Sequence, residues 1–504
     1  MAAIPKLGWY GDDFTGATDT LAALAKAGQR ALLFLDVPDV ARLGEAQRDA
    51  GGPLDAVGIA GAARSMAPEA MRAELEPVGR FFAALGVAVM HYKCCSTFDS
   101  APDVGSIGEA VRTLAPHFPN RFRPVVGGQP NIGRYCLFST LFAAAGTGGA
   151  VHRVDRHPTM SVHPVTPMAE ADLRRHLAAQ GLEGMAALHL PDYGLSGDAL
   201  ARLMDRLMAE RPPAMLLDVS RSEDLAIVGR LIWERAVEAP LLAVGPSSVA
   251  QALVAHWNAG SAGRVAEEVP LGATDSPVFL MAGSLSPVTR RQVEAAGSYT
   301  RIQADAAALC GDPGYAERLL GEVAASLTAG RHTLVWTAPA EAGTADTAQA
   351  GRVAAATADF VAAVLRRVAL RRVGIAGGDT SSLAVRALGC WGLSYRCTLA
   401  PGVTVSRTHA DDPAVNGLEL MLKGGQMGGE DLFERLLSPS PPRGEGRGEG
   451  DALRGYPENP RRASPPPQPP PPGGGGGPPG VVGLLPPPAT PPLSRVSAWR
   501  EPGR

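Results

Sequence analysis

The sequence predicts an α/β protein of two domains, each built on a mainly parallel sheet, followed by a disordered C-terminal tail. Three observations carry that prediction. Short apolar runs alternate with longer helical patterns as far as residue 437, the order expected of parallel strands wrapped by helices. A stretch rich in small residues and turn formers, from Gly260 to Pro277, interrupts the alternation before it restarts. After Leu437 the composition turns abruptly to proline and glycine.

In the first half, Lys6–Tyr10 reads as a strand, followed by an acidic loop and a helix through Ala27. Ala31–Leu35 is the next strand, ended by Asp36-Val37-Pro38, and Ala56–Ala60 and Val87–Tyr92 follow, each after a helical segment. In the second half the strands are Val278–Met281, Thr333–Thr337 and Arg372–Ala376. The boundary is placed near residue 265, giving domains 1–265 and 266–437. The remaining residues, 438–504, offer few side chains to bury and cannot offset the entropy of ordering them.

Composition narrows the function classes. Hydrophobic residues make up 45% and charged residues 19% of the 504, the balance of a globular enzyme with a sizeable core. The net charge of −3 provides no basic field for nucleic acid or an acidic membrane, so an anionic ligand has to be held by local groups. Six cysteines without a C-x-x-C pair suit reduced thiols in a cytoplasm. The start of the chain lacks a charged region followed by an apolar one, so export is not expected. The longest apolar run, Phe81 to Met90, falls well short of the ~20 residues that cross a bilayer.

Five segments carry chemistry. Gly11-Asp12-Asp13-Phe14-Thr15-Gly16-Ala17-Thr18-Asp19 opens a helix directly after a strand, at the strand end where parallel sheets collect ligands. Its adjacent carboxylates can bind hydroxyls, coordinate Mg²⁺ or accept a proton from an alcohol. An ordinary helix cap at Asp13 or Thr15 is the competing reading. Lys93, Ser96, Thr97 and Ser100, after the apolar strand Val87–Met90, supply donors for a carboxylate or phosphate, with Asp99 to orient them. Arg64-Ser65 forms a further donor pair at the same predicted sheet edge. The prolines between Asp155 and Met168 make a stiff loop carrying His157 and His163, which lack further ligands at zinc spacing. Gly377-Gly378-Asp379-Thr380-Ser381 opens a helix with free backbone N–H groups, an arrangement suited to phosphate. It is neither a Walker A loop nor G-x-G-x-x-G, which disfavours a dinucleotide enzyme. Gly283-Ser284-Leu285-Ser286 and Lys423-Gly424-Gly425-Gln426-Met427-Gly428 add two small-residue loops to the same half, a set that suits a nucleotide.

These segments, in this order and together with His163-Pro164-Val165-Thr166-Pro167-Met168, resemble the four-carbon acid sugar kinase family from about Lys6 to Leu437. The resemblance implies ATP-dependent phosphorylation of a hydroxyl on a small sugar acid such as threonate, erythronate or a 3-oxo-tetronate. It also implies an N-terminal acid-sugar domain, a C-terminal nucleotide domain and an active-site cleft between them. By position, Ser284, Gly377, Gly378, Asp379, Thr380, Gly424 and Gly425 correspond to ATP contacts. Arg64 and Lys93 are then expected to hold the substrate carboxylate, with Thr15, Asp19, Ser96, Thr97 and Asp99 completing the substrate site. Asp12 or Asp13 would orient or deprotonate the hydroxyl, and Asp379 would contact Mg²⁺, directly or through water. Tyr10-Gly11 before the two aspartates keeps a branched acid, 3-oxo-isoapionate, as an alternative substrate. A non-catalytic sugar-acid sensor and a nicotinamide-dependent dehydrogenase are the rivals of other kinds. A homodimer is left as an option.

Overall fold

The computed structural model describes residues 4–146, 148–163, 165–259, 270–283, 286–337, 347–425 and 427–437. The expected domain boundary near residue 265 and the expected disordered tail fall outside these residues. In the first half the strands are β1 (Leu7–Gly11), β2 (Ala31–Phe34), β3 (Ala56–Ala60), β4 (Val89–Lys93), β5 (Pro124–Gly127), β6 (Arg134–Leu137), β7 (Thr140–Ala144), β8 (Val151–Arg153), β9 (Ala186–Leu188), β10 (Met215–Asp218) and β11 (Leu241–Gly245). In the second half they are β12 (Phe279–Ala282), β13 (Thr300–Ala304), β14 (Thr333–Thr337), β15 (Arg372–Ala376), β16 (Cys390–Ala400), β17 (Val403–Ala410) and β18 (Glu419–Lys423).

Among the described residues, fifteen of these strands form one sheet in the order β13-β14-β12-β15-β18-β17-β16-β2-β3-β1-β4-β11-β5-β10-β9. The first five and the last eight are parallel blocks, as the strand–helix alternation requires. The antiparallel strands β17 and β16 join them, and the junction is narrow: Gly392 pairs with Phe34 and Leu393 with Leu33. Strands β6, β7 and β8 make a separate three-stranded antiparallel sheet.

Strand residues alternate between two covered faces, the arrangement of a parallel sheet with helices on both sides. Leu7, Trp9, Val89 and Leu241 pack on one face with Leu21, Leu24, Val228 and Leu253 from helices. On the other face Tyr10, Val57, Met90 and Leu242 meet Leu75, Phe82, Ile107 and Leu114. No helix among the described residues is long and apolar enough to cross a membrane.

Candidate active site

The carboxyl ends of β3, β1, β4 and β11 are neighbours in the sheet, and backbone hydrogen bonds bind the loops that leave them. Gly61 N–H donates to Gly11 O (2.9 Å), Asp12 N–H to Lys93 O (3.0 Å), Arg64 N–H to Asp12 O (3.1 Å) and Cys94 N–H to Gly245 O (3.0 Å). The acidic loop, the Arg64 turn and the Lys93 loop are therefore positioned by ladder geometry, with little freedom left to their side chains.

Asp13 caps the Phe14–Lys26 helix: Gly16 N–H donates to its Oδ1 at 2.8 Å. The cap reading of Asp13 therefore holds, and the same carboxylate makes further contacts. Asp13 Oδ2 also accepts from Thr15 Oγ1 (2.8 Å) and pairs with Arg64 Nη1 (2.9 Å), while Lys93 Nζ stands 3.7 Å from Oδ1. Burial alone would raise this carboxyl, but Arg64, Lys93, Thr15 and the Gly16 N–H outweigh it and hold Asp13 at about 2.

Asp12 differs. It is buried, and Arg64 grips it with Nη2 to Oδ1 at 2.8 Å and Nε to Oδ2 at 3.2 Å. Burial raises its carboxyl above the ordinary carboxylate value, against the opposing pull of Arg64 and Lys93. The two adjacent aspartates thus have carboxyls pushed in opposite directions, the pattern that separates a proton acceptor from a fixed anion. Lys93 is buried, and although burial disfavours its charge, Asp13 and Asp12 hold its ammonium above the usual lysine value.

The Lys93 loop supplies the opposite wall. Thr97 Oγ1 donates to Asp99 Oδ1 at 2.5 Å and lies 3.0 Å from Cys95 Sγ. Phe98, fully buried, holds a left-handed φ of 56° between them. Asp99 stays below the ordinary carboxylate value: burial acts to raise it, but Arg64, Cys95, Thr97 and His163 prevail. Ser96 is half-buried. Ser100 turns away to Phe98 O (2.9 Å) and to His176 and Gln180. Asp19 sits one turn along the helix and accepts from Gln129 Nε2 at 3.0 Å. His157 packs its ring nitrogens on backbone groups at Ala144, Thr159 and Met160. Among the described residues no cluster of His, Cys, Asp and Glu has the makings of a metal site.

The sequence reading missed Arg134. It lies on β6 of the small sheet, and its guanidinium feels Cys95 and Asp99 while burial disfavours its charge. Its buried Nε has no hydrogen-bond partner among the described residues. The only sequence signal was an arginine after the Pro130–Gly133 turn, and what reveals it is the packing of β6 beside the Lys93 loop.

The second cluster lies at the ends of β12, β15 and β18. Gly283 N–H donates to Ala376 O (2.9 Å) and Gly377 N–H to Lys423 O (2.8 Å). Gly377 adopts φ 132° and carries no side-chain cap, and Ser381 N–H is the first donor taken into the helix, by Gly377 O at 2.8 Å. The N–H groups of Gly378 through Thr380 therefore precede the helical ladder, an arrangement that suits an anion with the helix dipole behind them. A Cβ on Gly283 would lie 2.4 Å from Thr380 Oγ1, so only glycine fits between the two loops. These residues fit a phosphate. Gly424 and Gly425 are half-buried in the adjoining loop. Ser284 and the Asp379 side chain lie outside what the structure describes. The two clusters meet through their helices, with the Arg386 guanidinium 5.6 Å over the Phe14 ring. Gly378, at the far end of the helix that carries Arg386, stands about 12 Å further along its axis.

The chain matches a sugar-binding N-terminal domain over residues 7–253 and a nucleotide-binding C-terminal domain over residues 279–433. It is 37% identical to a 3-oxo-isoapionate kinase of Paraburkholderia graminis, across 85% of this chain and 93% of that protein. It is 32% identical to a 3-oxo-tetronate kinase of Methylobacterium radiotolerans (86% and 98%) and 30% identical to one from Cupriavidus necator (87% and 98%). Solved structures from Salmonella typhimurium (TM-score 0.68) and Haemophilus influenzae (TM-score 0.63), each 24% identical over 85% of this chain and 98% of theirs, share the fold. With two matched domains and relatives aligned along nearly their whole length, the chain belongs to the four-carbon acid sugar kinase family.

Proposed function

We propose that the protein is a cytoplasmic ATP-dependent kinase that phosphorylates a hydroxyl of a small sugar acid. The observation that carries this reading is the Asp12–Asp13–Arg64–Lys93 constellation, two carboxylates and two cations fixed at one sheet edge. Asp13, held by three donors with the Lys93 ammonium at ion-pair distance, fixes Arg64 and Lys93, which receive the substrate carboxylate. Asp12 keeps the higher proton affinity and orients the attacking hydroxyl or takes its proton. Gly378 and Thr380 offer backbone N–H groups to the nucleotide phosphates, beside Gly283, Gly424 and Gly425. Asp379 would contact Mg²⁺, which when bound with ATP would supply neutralisation of the phosphate charge. Reacting atoms must come within about 3–3.5 Å, so the reading includes an approach of the two clusters on substrate binding.

The relatives divide between 3-oxo-tetronate and 3-oxo-isoapionate as named substrates, so both belong in the assay beside threonate and erythronate. Coupled ADP release, measured acid by acid, tests the proposal. Release that depends on one of these acids is the expected result. Binding without release would make the protein a sensor, and oxidation of NAD(P)H would make it a dehydrogenase. The partners are then the acid and ATP, with a homodimer as the assembly to check by light scattering.

Gly16→Ala tests the Lys93–Asp13 pair without removing a charged group. The added methyl carbon would sit 1.7 Å from Lys93 Nζ and 2.5 Å from Asp13 Oδ1, so the ammonium has to move. We expect KM for the acid to rise about 10–100-fold, the scale of one hydrogen bond to a charged group, with KM for ATP unchanged. Steady-state kinetics check this, and an unaltered KM for the acid would remove Lys93 from the acid site.

A further inference from the structure

Lys423 ends β18 with its side chain fully buried. Its ammonium donates to Thr289 Oγ1 at 2.8 Å and to Gly425 O at 3.2 Å. Thr289 Oγ1 also donates to Gly425 O at 3.1 Å, and Ser286 Oγ donates to the same carbonyl. Three loops thus converge on one point: the turn after Gly283, the Gly377 turn held by Lys423 O, and the Gly424 turn itself. Gln292 reinforces the arrangement, its Nε2 shared among the carbonyls of Met427 (3.1 Å), Gly428 (3.2 Å) and Gly429 (2.8 Å).

Folding does not account for a charge here. No carboxylate lies within ion-pair distance of Lys423 among the described residues, and an uncompensated buried ammonium costs several kcal/mol that an apolar chain of similar volume would not. The ionisable groups of the Pro287–Ala295 helix (Arg290, Arg291, Glu294) and of the loop (Glu430, Asp431) are exposed, as is Arg407 on β17. The buried Arg372 of β15 pairs with Glu419 at 2.7 Å at the other end of the strand pair, where Ala376 and not Arg372 stands opposite Lys423. The Asp379 side chain is outside the described residues. Gly425 carbonyl keeps two hydroxyl donors without the lysine, so the loop does not need an ammonium merely to stay bonded.

We propose that Lys423 is a positioning residue for the nucleotide, a buried ammonium that ties Thr289 to the Gly425 turn and takes up a proton from solvent as polyphosphate charge arrives beside it. This rests on the assignment of these loops to ATP. Consistent with it, burial lowers the Lys423 ammonium to about 7, so that without an anion the neutral form is accessible near neutral pH. An anion bound at the loop favours the charged form, and linkage then makes nucleotide affinity fall as pH rises through that value.

Calorimetric titration of the full chain with ADP, in buffers of different ionisation enthalpy, tests this. For the wild type we expect net proton uptake on binding and a rise of about tenfold in Kd from about pH 7.5 to about pH 8.5. Lys423→Met, shown to be folded by its thermal transition, should bind ADP about tenfold more weakly at about pH 7 and lose both the proton uptake and the pH dependence. Its KM for the sugar acid should stay at the wild-type value. A wild type whose ADP affinity is flat across this range would overturn the proposal without any variant, as would Lys423→Met retaining the proton uptake. Failure of the wild type to bind ADP at all would instead overturn the assignment of the loops on which the proposal rests.

Discussion

Asp12→Asn is expected to lower kcat by about 10²–10⁴-fold, the scale of losing a positioned acid–base group. The amide keeps the shape of the carboxylate and still accepts one of the two Arg64 hydrogen bonds, so the fold and the ATP site should survive. KM for ATP should stay near wild type, because the nucleotide loops stand at the other end of the Gly378–Ala387 helix. Asp13→Asn is the informative partner. Asparagine caps helices as well as aspartate does, and its amide oxygen in the place of Oδ1 keeps the Gly16 hydrogen bond, while an amide nitrogen in the place of Oδ2 no longer accepts from Thr15. What that variant loses is the anion that fixes Arg64 and Lys93, so its main effect should be on KM for the acid. The comparison is read from kcat and KM measured separately. A larger kcat loss in Asp13→Asn than in Asp12→Asn would reverse the assignment of the two roles.

Why the sequence could point to this loop but not divide its labour is clear from the contacts. A Gly-Asp-Asp-x-Thr-Gly run after an apolar strand places carboxylates at a strand end whatever the rest of the fold does. Which aspartate is free to act depends on Arg64, 52 residues away along the chain from Asp12. Similarly, Ala56–Ala60, Thr333–Thr337 and Arg372–Ala376 were legible because each is an apolar run, mostly or wholly buried and bounded by turns. The antiparallel strands Cys390–Ala400 and Val403–Ala410 were not. Register shifts between Cys390 and Gly392, Tyr395 and Cys397, and Thr398 and Ala400 break the period of two that would have announced them. Those strands join the two parallel blocks into one sheet through Gly392 and Leu393, a contact with no local signature. Arg134 was illegible for the same reason, since its place beside Asp99 comes from packing between a small sheet and a large one.

Removing Arg64 should produce the largest combined loss of activity and stability. Its guanidinium is the shared partner of Asp12 and Asp13, with three contacts between 2.8 and 3.2 Å and a side chain 24% exposed. Arg64→Met leaves the buried Asp12 and the half-buried Asp13 with only Lys93 to offset them, at 3.7 Å from Asp13. Truncating one member of a buried charge pair typically costs 3–5 kcal/mol, and the partial exposure places this case at about 3 kcal/mol at neutral pH. Loss of the carboxylate grip should lower kcat/KM by about 10³-fold or more. The pH dependence separates this cause from a general packing defect. Asp13 is depressed from 3.8 to about 2, so in the wild type its contribution, about 2.5 kcal/mol, is complete above the unfolded value and is lost as pH falls toward about 2. Asp12 acts in the opposite sense: its carboxyl is raised, so its contribution is complete at low pH and is lost as pH rises through the folded value. Without Arg64 both carboxyls move up, and protonation relieves their repulsion. Urea denaturation should therefore show a stability gap between Arg64→Met and wild type that is widest near about pH 7 and narrows below about pH 4. A gap that stays constant across that range would mean that Arg64 stabilises the fold through the packing of its aliphatic stem and not through the two aspartates.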